Sequence, residues 1–191
     1  MMRIITGSAR GVKLTTLAGE NTRPTAERTK EAVFSMLQFG LEGRRVLDLF
    51  GGSGQMGLEA LSRGAERAVF VDRERDAVEV IKANAAKTRL SDRADIRRSE
   101  AASFLATYSG EPFHLVFLDP PYALGLIPQC LEALATRCLL TAGGVIVCET
   151  GKAEEVFGGN EQLAARFEIL REKRYGAAYV TLLTPKQEDT Q

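Results

Sequence analysis

The stretch Val46-Leu47-Asp48-Leu49-Phe50-Gly51-Gly52-Ser53-Gly54 decides how the rest of this chain is read. Branched apolar residues lead into Asp48, glycines follow at 51, 52 and 54, and residues 55–63 have the composition of a helix. The pattern is a buried strand, a flexible turn and a helix. Glycine has no Cβ and tolerates positive φ, so such a turn lets a ligand come close to the backbone. The spacing Gly52-x-Gly54-x-x-Gly57 also satisfies the dinucleotide-binding pattern, so the turn alone leaves the ligand open.

Toward the C-terminus, strand and helix patterns alternate. Strands are expected over 46–50, 68–72, 94–98, 113–118 and 145–149, with helices over 55–63, 76–87, 101–108 and 127–137. Residues 167–174 and 178–183, joined by Tyr175-Gly176-Ala177, look like an antiparallel hairpin. On the 76–87 helix, Ala77, Val80, Ile81 and Asn84 fall on related faces. Repeated β–α units imply a mostly parallel sheet with helices on both faces, an α/β fold. Toward the N-terminus, 3–6 and 12–17 suggest a short hairpin around Gly7-Ser-Ala-Arg-Gly11. Thr25 can then cap a helix over 26–39, whose stripe Ala32, Val33, Met36 and Leu37 packs on the core. The organisation expected is an extension over 1–44, a catalytic domain over 45–185 in the same compact unit, and a polar tail over 186–191.

The 191 residues suit one domain with a sizeable core, and 45% apolar with 26% charged residues is ordinary for a globular protein. No apolar run approaches the roughly 20 residues that span a bilayer, and residues 1–13 lack the continuous apolar core of a secretory signal. Cys130, Cys138 and Cys148 are odd in number and lack metal-ligand spacing, and the only histidine, His114, sits in an apolar strand pattern. Reduced thiols, no metal and a cytoplasmic location follow as expectations. Formal net charge is zero, but residues 1–45 hold eight Lys/Arg against four acids. A basic end can meet phosphates even when the whole chain is balanced.

Ligands in such a sheet bind outside the carboxyl ends of the strands. The glycine turn, Asp72, Ser99-Glu100 and Asp119-Pro120-Pro121-Tyr122 all fall there. Asp72 can accept hydrogen bonds from ribose hydroxyls or cap the helix that follows it. Glu100 can accept from an adenine amine or cap its own helix. The Asp119–Tyr122 quartet is the most informative. Two prolines stiffen the turn and remove two backbone donors, leaving carbonyl acceptors; Asp119 adds a carboxylate and Tyr122 a stacking face. Together they describe a clamp for a planar ring with an exocyclic amine. Acceptors on the two amine hydrogens favour the pyramidal nitrogen whose lone pair can attack.

Asp119-Pro-Pro-Tyr122 resembles the motif of S-adenosylmethionine-dependent methyltransferases that act on exocyclic amines of bases. More narrowly, three stretches resemble the bacterial RsmD family of 16S rRNA (guanine-N2) methyltransferases. They are Arg3-Ile-Ile-Thr-Gly with Arg10-Gly11, Arg23-Pro-Thr with Arg28-x-Lys-Glu-Ala-Val-Phe34, and Leu47-Asp-Leu-Phe-Gly-Gly-Ser-Gly with Gly57-Leu-Glu-Ala-Leu-Ser-Arg-Gly-Ala65. Gly52 stands where that family has alanine, and Glu100 where it has Asp or Asn. The resemblance implies a class I, Rossmann-like fold of seven strands with the last antiparallel. It implies that Asp48, Phe50, Gly51, Gly52, Ser53 and Gly54 line the methionine end of the cofactor. Asp72 and Arg73 would then hold the ribose side, Glu100 and Ala101 border the adenine, and Arg23 and Thr25 pack nearby. Asp119, Pro120 and Tyr122 would act on the amine. Arg3, Arg10, Lys13 and Pro121, with Tyr122, would meet 16S rRNA in an assembling small ribosomal subunit, the enzyme working as a monomer. The alternatives are an adenine-N6 methyltransferase with the same clamp, a nicotinamide-dependent oxidoreductase, and a non-catalytic RNA-binding module.

Overall fold

The computed structural model describes residues 2–17, 24–37 and 40–186. Within them the apolar runs form one sheet from seven strands: β1 (Arg45–Asp48), β2 (Arg67–Asp72), β3 (Ala94–Arg98), β4 (Phe113–Leu118), β5 (Leu140–Thr150), β6 (Phe167–Tyr175) and β7 (Ala178–Pro185). Their order is β3-β2-β1-β4-β5-β7-β6. The first five strands pair in parallel, and β7 runs antiparallel to both of its neighbours. The chain winds outward from β1 to β3 and returns to β4 on the other side of β1. That reversal opens a crevice above the carboxyl ends of β1 and β4, where open α/β sheets bind ligands.

Among the described residues six α-helices cover the sheet: α1 (Pro24–Met36), α2 (Gln55–Ser62), α3 (Arg75–Thr88), α4 (Ala101–Thr107), α5 (Ile127–Thr136) and α6 (Glu161–Ala165). One core is built from α1, α2, α3 and the N-terminal segment, centred on Leu58, Leu61, Phe70 and Ile81. The other holds α4, α5 and α6, with Leu105, Leu131 and Leu163. Gly57 shows how closely these layers meet, since a Cβ there would lie 2.3 Å from the Phe70 ring. Any side chain at 57 would push α2 off the sheet.

Several boundaries differ from the sequence expectations. β1 ends at Asp48, and β5 begins at Leu140, five residues before the apolar run. The buried stripe of α3 runs through Ala77, Val78, Ile81 and Asn84, whereas Val80 is half-buried. The helix α6, which periodicity alone does not reveal in five residues, starts where the Asn160 side chain accepts from the Leu163 amide at 3.0 Å. α1 starts at Pro24, so Thr25 lies inside its first turn instead of capping it; proline at the first helical position has no amide to leave unpaired. Arg23 and Phe39 lie outside the described residues. The expected N-terminal hairpin is reduced to one bridge, Arg3 with Lys13, flanked by backbone bonds between Ile4 and Val12 and between Leu14 and Met2.

What holds that N-terminal segment is side-chain chemistry from α1, α2 and α3. Glu59, fully buried on α2, accepts from the amides of Ile5 at 2.7 Å and Thr6 at 3.0 Å and from the Arg63 guanidinium at 2.8 Å. Lys30 on α1, also buried, lies 3.8 Å from Glu59 and donates to the Arg3 carbonyl at 2.6 Å. Burial lowers the Lys30 pKa, and the Glu59 charge works against that shift. Ser62 closes the loop, accepting from Ala9 and donating to Thr6.

Candidate active site

A cleft of about 1430 Å³ lies above the sheet where the chain reverses. Its walls include Asp48, Phe50, Gly51, Gly52 and Ser53 from the first turn, Asp72 and Arg73 from the end of β2, and Glu100 and Ala101 from the start of α4. Asp119, Pro120, Pro121 and Tyr122 close it from the end of β4. Residues spread over more than seventy positions of sequence therefore meet around one space. Gly54 shapes the turn from beneath with φ 78°, a left-handed conformation that glycine adopts without strain. Arg3 and Lys13 are exposed on the N-terminal segment and do not line the cleft, nor does Arg10.

Two of the strand-end acids, Asp48 and Asp72, have a definite local task. Asp48, 4% exposed, accepts from the Gly57 amide at 3.0 Å, so its carboxylate sits against the positive first turn of α2. Asp72 braces the glycine turn across the crevice, accepting from the Gly52 amide at 2.9 Å, and its other oxygen accepts from Glu74 at 2.9 Å. The helix-entry role for Asp72 is thus present, and lone pairs on both oxygens remain for a further donor. Glu100 occupies the cap position of α4, but its side chain makes no capping bond. The Glu100 carboxylate, largely exposed, lies 4.0 Å from Arg73. Ser53 is buried, with its hydroxyl 3.1 Å from the Met2 sulfur.

The acids dominate the cleft. Asp48, Asp72, Glu74, Glu100, Asp119, Glu132 and Glu149 line it, opposed by Arg73 and Arg137. This set suits a ligand that carries positive charge. A pyrophosphate would meet repulsion, and the two features that usually receive it are taken: Asp72 holds the Gly52 amide, and Asp48 holds the N-terminus of α2. Among the described residues no group of three or more His, Cys, Asp or Glu could hold a metal ion. His114, at the start of β4, accepts from the Arg45 amide at 3.1 Å and lies away from the cleft. Cys130 and Cys148 are buried and Cys138 is exposed.

Burial raises the Asp48 pKa from 3.8 to about 7, partly offset by the Gly57 bond and reinforced by the Asp72 charge. The folded protein therefore keeps a proton that the unfolded chain releases from about pH 4 upward, and Asp48 makes folding less favourable as pH rises through 4 to 7. Asp48→Asn preserves an acceptor for Gly57 and cannot ionise. Between pH 4 and 8 the variant should gain stability relative to wild type, by up to roughly 4 kcal/mol. Urea titrations at several pH values check this, and parallel stability curves would contradict it.

Two residues outside the expected set complete the site. Asn84 is fully buried on α3; it donates to the Ser53 carbonyl and the Thr15 carbonyl, each at 2.8 Å, and accepts from the Thr15 amide at 2.8 Å. It ties the N-terminal segment to the glycine turn. Glu149, at the end of β5, accepts from the Tyr122 hydroxyl at 2.6 Å. The signal for Asn84 was a polar residue on an apolar helix face; Glu149 offered none beyond an acid at a strand end.

Residues 2–184 match the family model described as Conserved hypothetical protein 95. The chain is 36% identical to a Bacillus subtilis protein provisionally named rRNA methyltransferase YlbH, over 95% of this chain and 97% of that one. It is 35% identical to the ribosomal RNA small subunit methyltransferase D of Escherichia coli K12, over 92% of this chain and 85% of that one. A solved Escherichia coli structure, provisionally named methyltransferase yhhF, superposes with TM-score 0.83 at 31% identity, covering 97% of this chain and 98% of that one. The seven-stranded sheet with its antiparallel β7 is the Rossmann-like fold of class I methyltransferases.

Proposed function

This chain belongs to the family described as Conserved hypothetical protein 95, which holds ribosomal RNA small subunit methyltransferase D proteins, and from that premise we propose that it methylates N2 of a guanine in 16S rRNA. S-adenosylmethionine is the methyl donor in this reading, supplying an electrophilic methyl group on a sulfonium whose departure leaves a neutral thioether. The observation that carries the reading is the acidic cleft closed by Asp119–Tyr122. Its surplus of carboxylates favours a cationic cofactor over an anionic dinucleotide, and its closing turn offers acceptors for an amine beside a stacking face.

Asp48 and the turn from Phe50 to Gly54 face the methionine end of the cofactor, where the carboxylate meets its ammonium group. Asp72, already oriented by Gly52 and Glu74, accepts from the ribose hydroxyls, with Arg73 beside it. Glu100 and Ala101 border the adenine. A guanine drawn out of the RNA stacks on Tyr122 over Pro121, and Asp119 and the Pro120 carbonyl accept its two amine hydrogens. Fixing the nitrogen in line with the methyl group supplies much of the acceleration, because the leaving group needs no further activation. Titrating S-adenosylhomocysteine and NAD into the protein by calorimetry tests the cofactor class. Binding of the former alone is expected, and the reverse would return the oxidoreductase reading.

The N-terminal segment, with Arg3, Arg10 and Lys13 exposed, serves as the RNA docking surface; Arg3 is paired with Glu27 at 2.7 Å, so Arg10 and Lys13 contribute most. Replacing both with alanine should weaken RNA binding and flatten its salt dependence, because each phosphate contact releases counterions. Cofactor affinity should not change. An unaltered salt slope would remove this segment from the interface. No helix among the described residues is long and apolar enough to cross a membrane. A cytoplasmic location belongs to the same proposal, since the proposed substrate is 16S rRNA.

A further inference from the structure

Tyr122 is not left to move freely at the mouth of the cleft. The residue is 41% exposed, yet its hydroxyl donates to Glu149 Oε1 at 2.6 Å, across 27 positions of sequence. Glu149 itself stands at the end of β5, hydrogen-bonded in register beside Val180 of β7, so its backbone is fixed by the sheet. Below the ring lies Gly151, where a Cβ would come within 3.3 Å of Tyr122 Cδ2. The loop carrying Gly151 is held by Glu155, whose Oε2 accepts from the amides of Gly151 and Lys152, both at 3.1 Å. A strand-end carboxylate, a glycine floor and a pinned loop thus form a socket for one aromatic side chain. A stacking surface that only needed an aromatic face would not require the hydroxyl at all.

We propose that Glu149 is a positioning residue: through the Tyr122 hydroxyl it locks the ring in one plane at the cleft mouth, ready for the target base to stack on. This rests on the base-methyltransferase reading above. A ring free to rotate must be immobilised when the base arrives, and that entropy loss weakens capture; locking it beforehand removes the loss. The bond is of the strong kind, a hydroxyl donating to a carboxylate. Burial raises the Glu149 pKa, and the Tyr122 hydrogen bond lowers it by favouring the ionised form. Burial and the neighbouring carboxylates also raise the Tyr122 pKa far above its ordinary value, which keeps the phenol protonated as the donor.

The test is a double-mutant cycle on full-length protein with 16S rRNA and saturating cofactor. Tyr122→Phe and Glu149→Ala should each raise the RNA concentration for half-maximal single-turnover rate by about 2- to 10-fold, the range for one side chain losing its preorganisation. In both variants the shift in half-maximal RNA concentration should exceed any fall in the rate at saturating RNA, and the affinity for S-adenosylhomocysteine should change less than twofold. The double variant should be no worse than either single one, because both remove the same bond. Glu149→Gln, whose amide oxygen still accepts, should recover most of the loss. Additive effects, or a Glu149→Ala enzyme that captures RNA normally, would overturn the proposal.

A second readout needs no substrate. The Tyr122 hydroxyl proton should give an exchange-protected proton resonance in the free protein, absent from both Tyr122→Phe and Glu149→Ala. Its absence from wild type would overturn the lock by itself. Wild-type protein that shows the resonance yet transfers no methyl group to any RNA would overturn the methyltransferase reading, and with it the stacking role.

Discussion

Glu59→Ala should lower folding stability by about 3–5 kcal/mol, the range measured when one partner of a buried ion pair is removed. The reason lies in what Glu59 serves. Its two oxygens take the Ile5 and Thr6 amides and the Arg63 guanidinium, and its charge stands 3.8 Å from a Lys30 ammonium that has almost no access to water. Alanine would orphan two backbone donors and leave Lys30 buried without the counter-charge that acts on it most strongly. Converting the pair to Glu59→Leu with Lys30→Met should recover part of the loss. It removes both charges, but the Ile5 and Thr6 amides still lack acceptors, so full recovery is not expected. Urea unfolding of the three proteins checks this. A Glu59→Ala loss under about 1 kcal/mol would mean that water reaches the network when the carboxylate is gone.

Asp119→Ala should slow the methyl-transfer step by at least about tenfold, or roughly 1.4 kcal/mol of barrier, while cofactor affinity stays within a few fold. Asp119 is exposed at the cleft mouth, one residue past β4, so its loss opens no cavity in either core. Tyr122 and its bond to Glu149 remain, and the base still has its stacking face. What disappears is one of the acceptors that bias the amine toward its reactive geometry. Asp119→Asn should be milder because the amide oxygen remains an acceptor. Tyr122→Ala, in contrast, should impair capture of the base more than the rate at saturating RNA. Single-turnover assays across RNA concentrations separate these cases, and a fully active Asp119→Ala enzyme would show that the amine is activated elsewhere.

The positions of these residues were legible in the sequence to different depths. The strand, turn and helix at 46–63 announced themselves because hydrophobic period, glycine placement and the strand-end acid all agree locally. The same holds for Asp119–Tyr122, where chemistry is concentrated in four consecutive residues. The unread parts depend on contacts between distant segments. Lys30 and Glu59 carry no local signal of their pairing, because only the fold brings them together across α1 and α2. Asn84 was visible on the face of α3, although its partners Thr15 and Ser53 lie 69 and 31 positions away. Glu149 gained its meaning only from the parallel pairing of β4 with β5, which sets the two strand ends side by side. The N-terminal hairpin was over-read for the complementary reason. Strand-like segments at 3–6 and 12–17 around a glycine-bounded turn suggested a ladder, whereas one antiparallel bridge forms and side chains from α1, α2 and α3 take several of that segment's backbone groups.

The most direct test is the identity of the modified nucleoside. Unmodified 16S rRNA, free or in small-subunit particles, is incubated with the protein and methyl-labelled S-adenosylmethionine, then digested to nucleosides and separated by mass. Label in N2-methylguanosine, strongly reduced with Asp119→Ala, is the expected result. Label in N6-methyladenosine, or RNA that binds but never acquires label, would contradict the assignment of guanine N2 as the group that Asp119–Tyr122 holds.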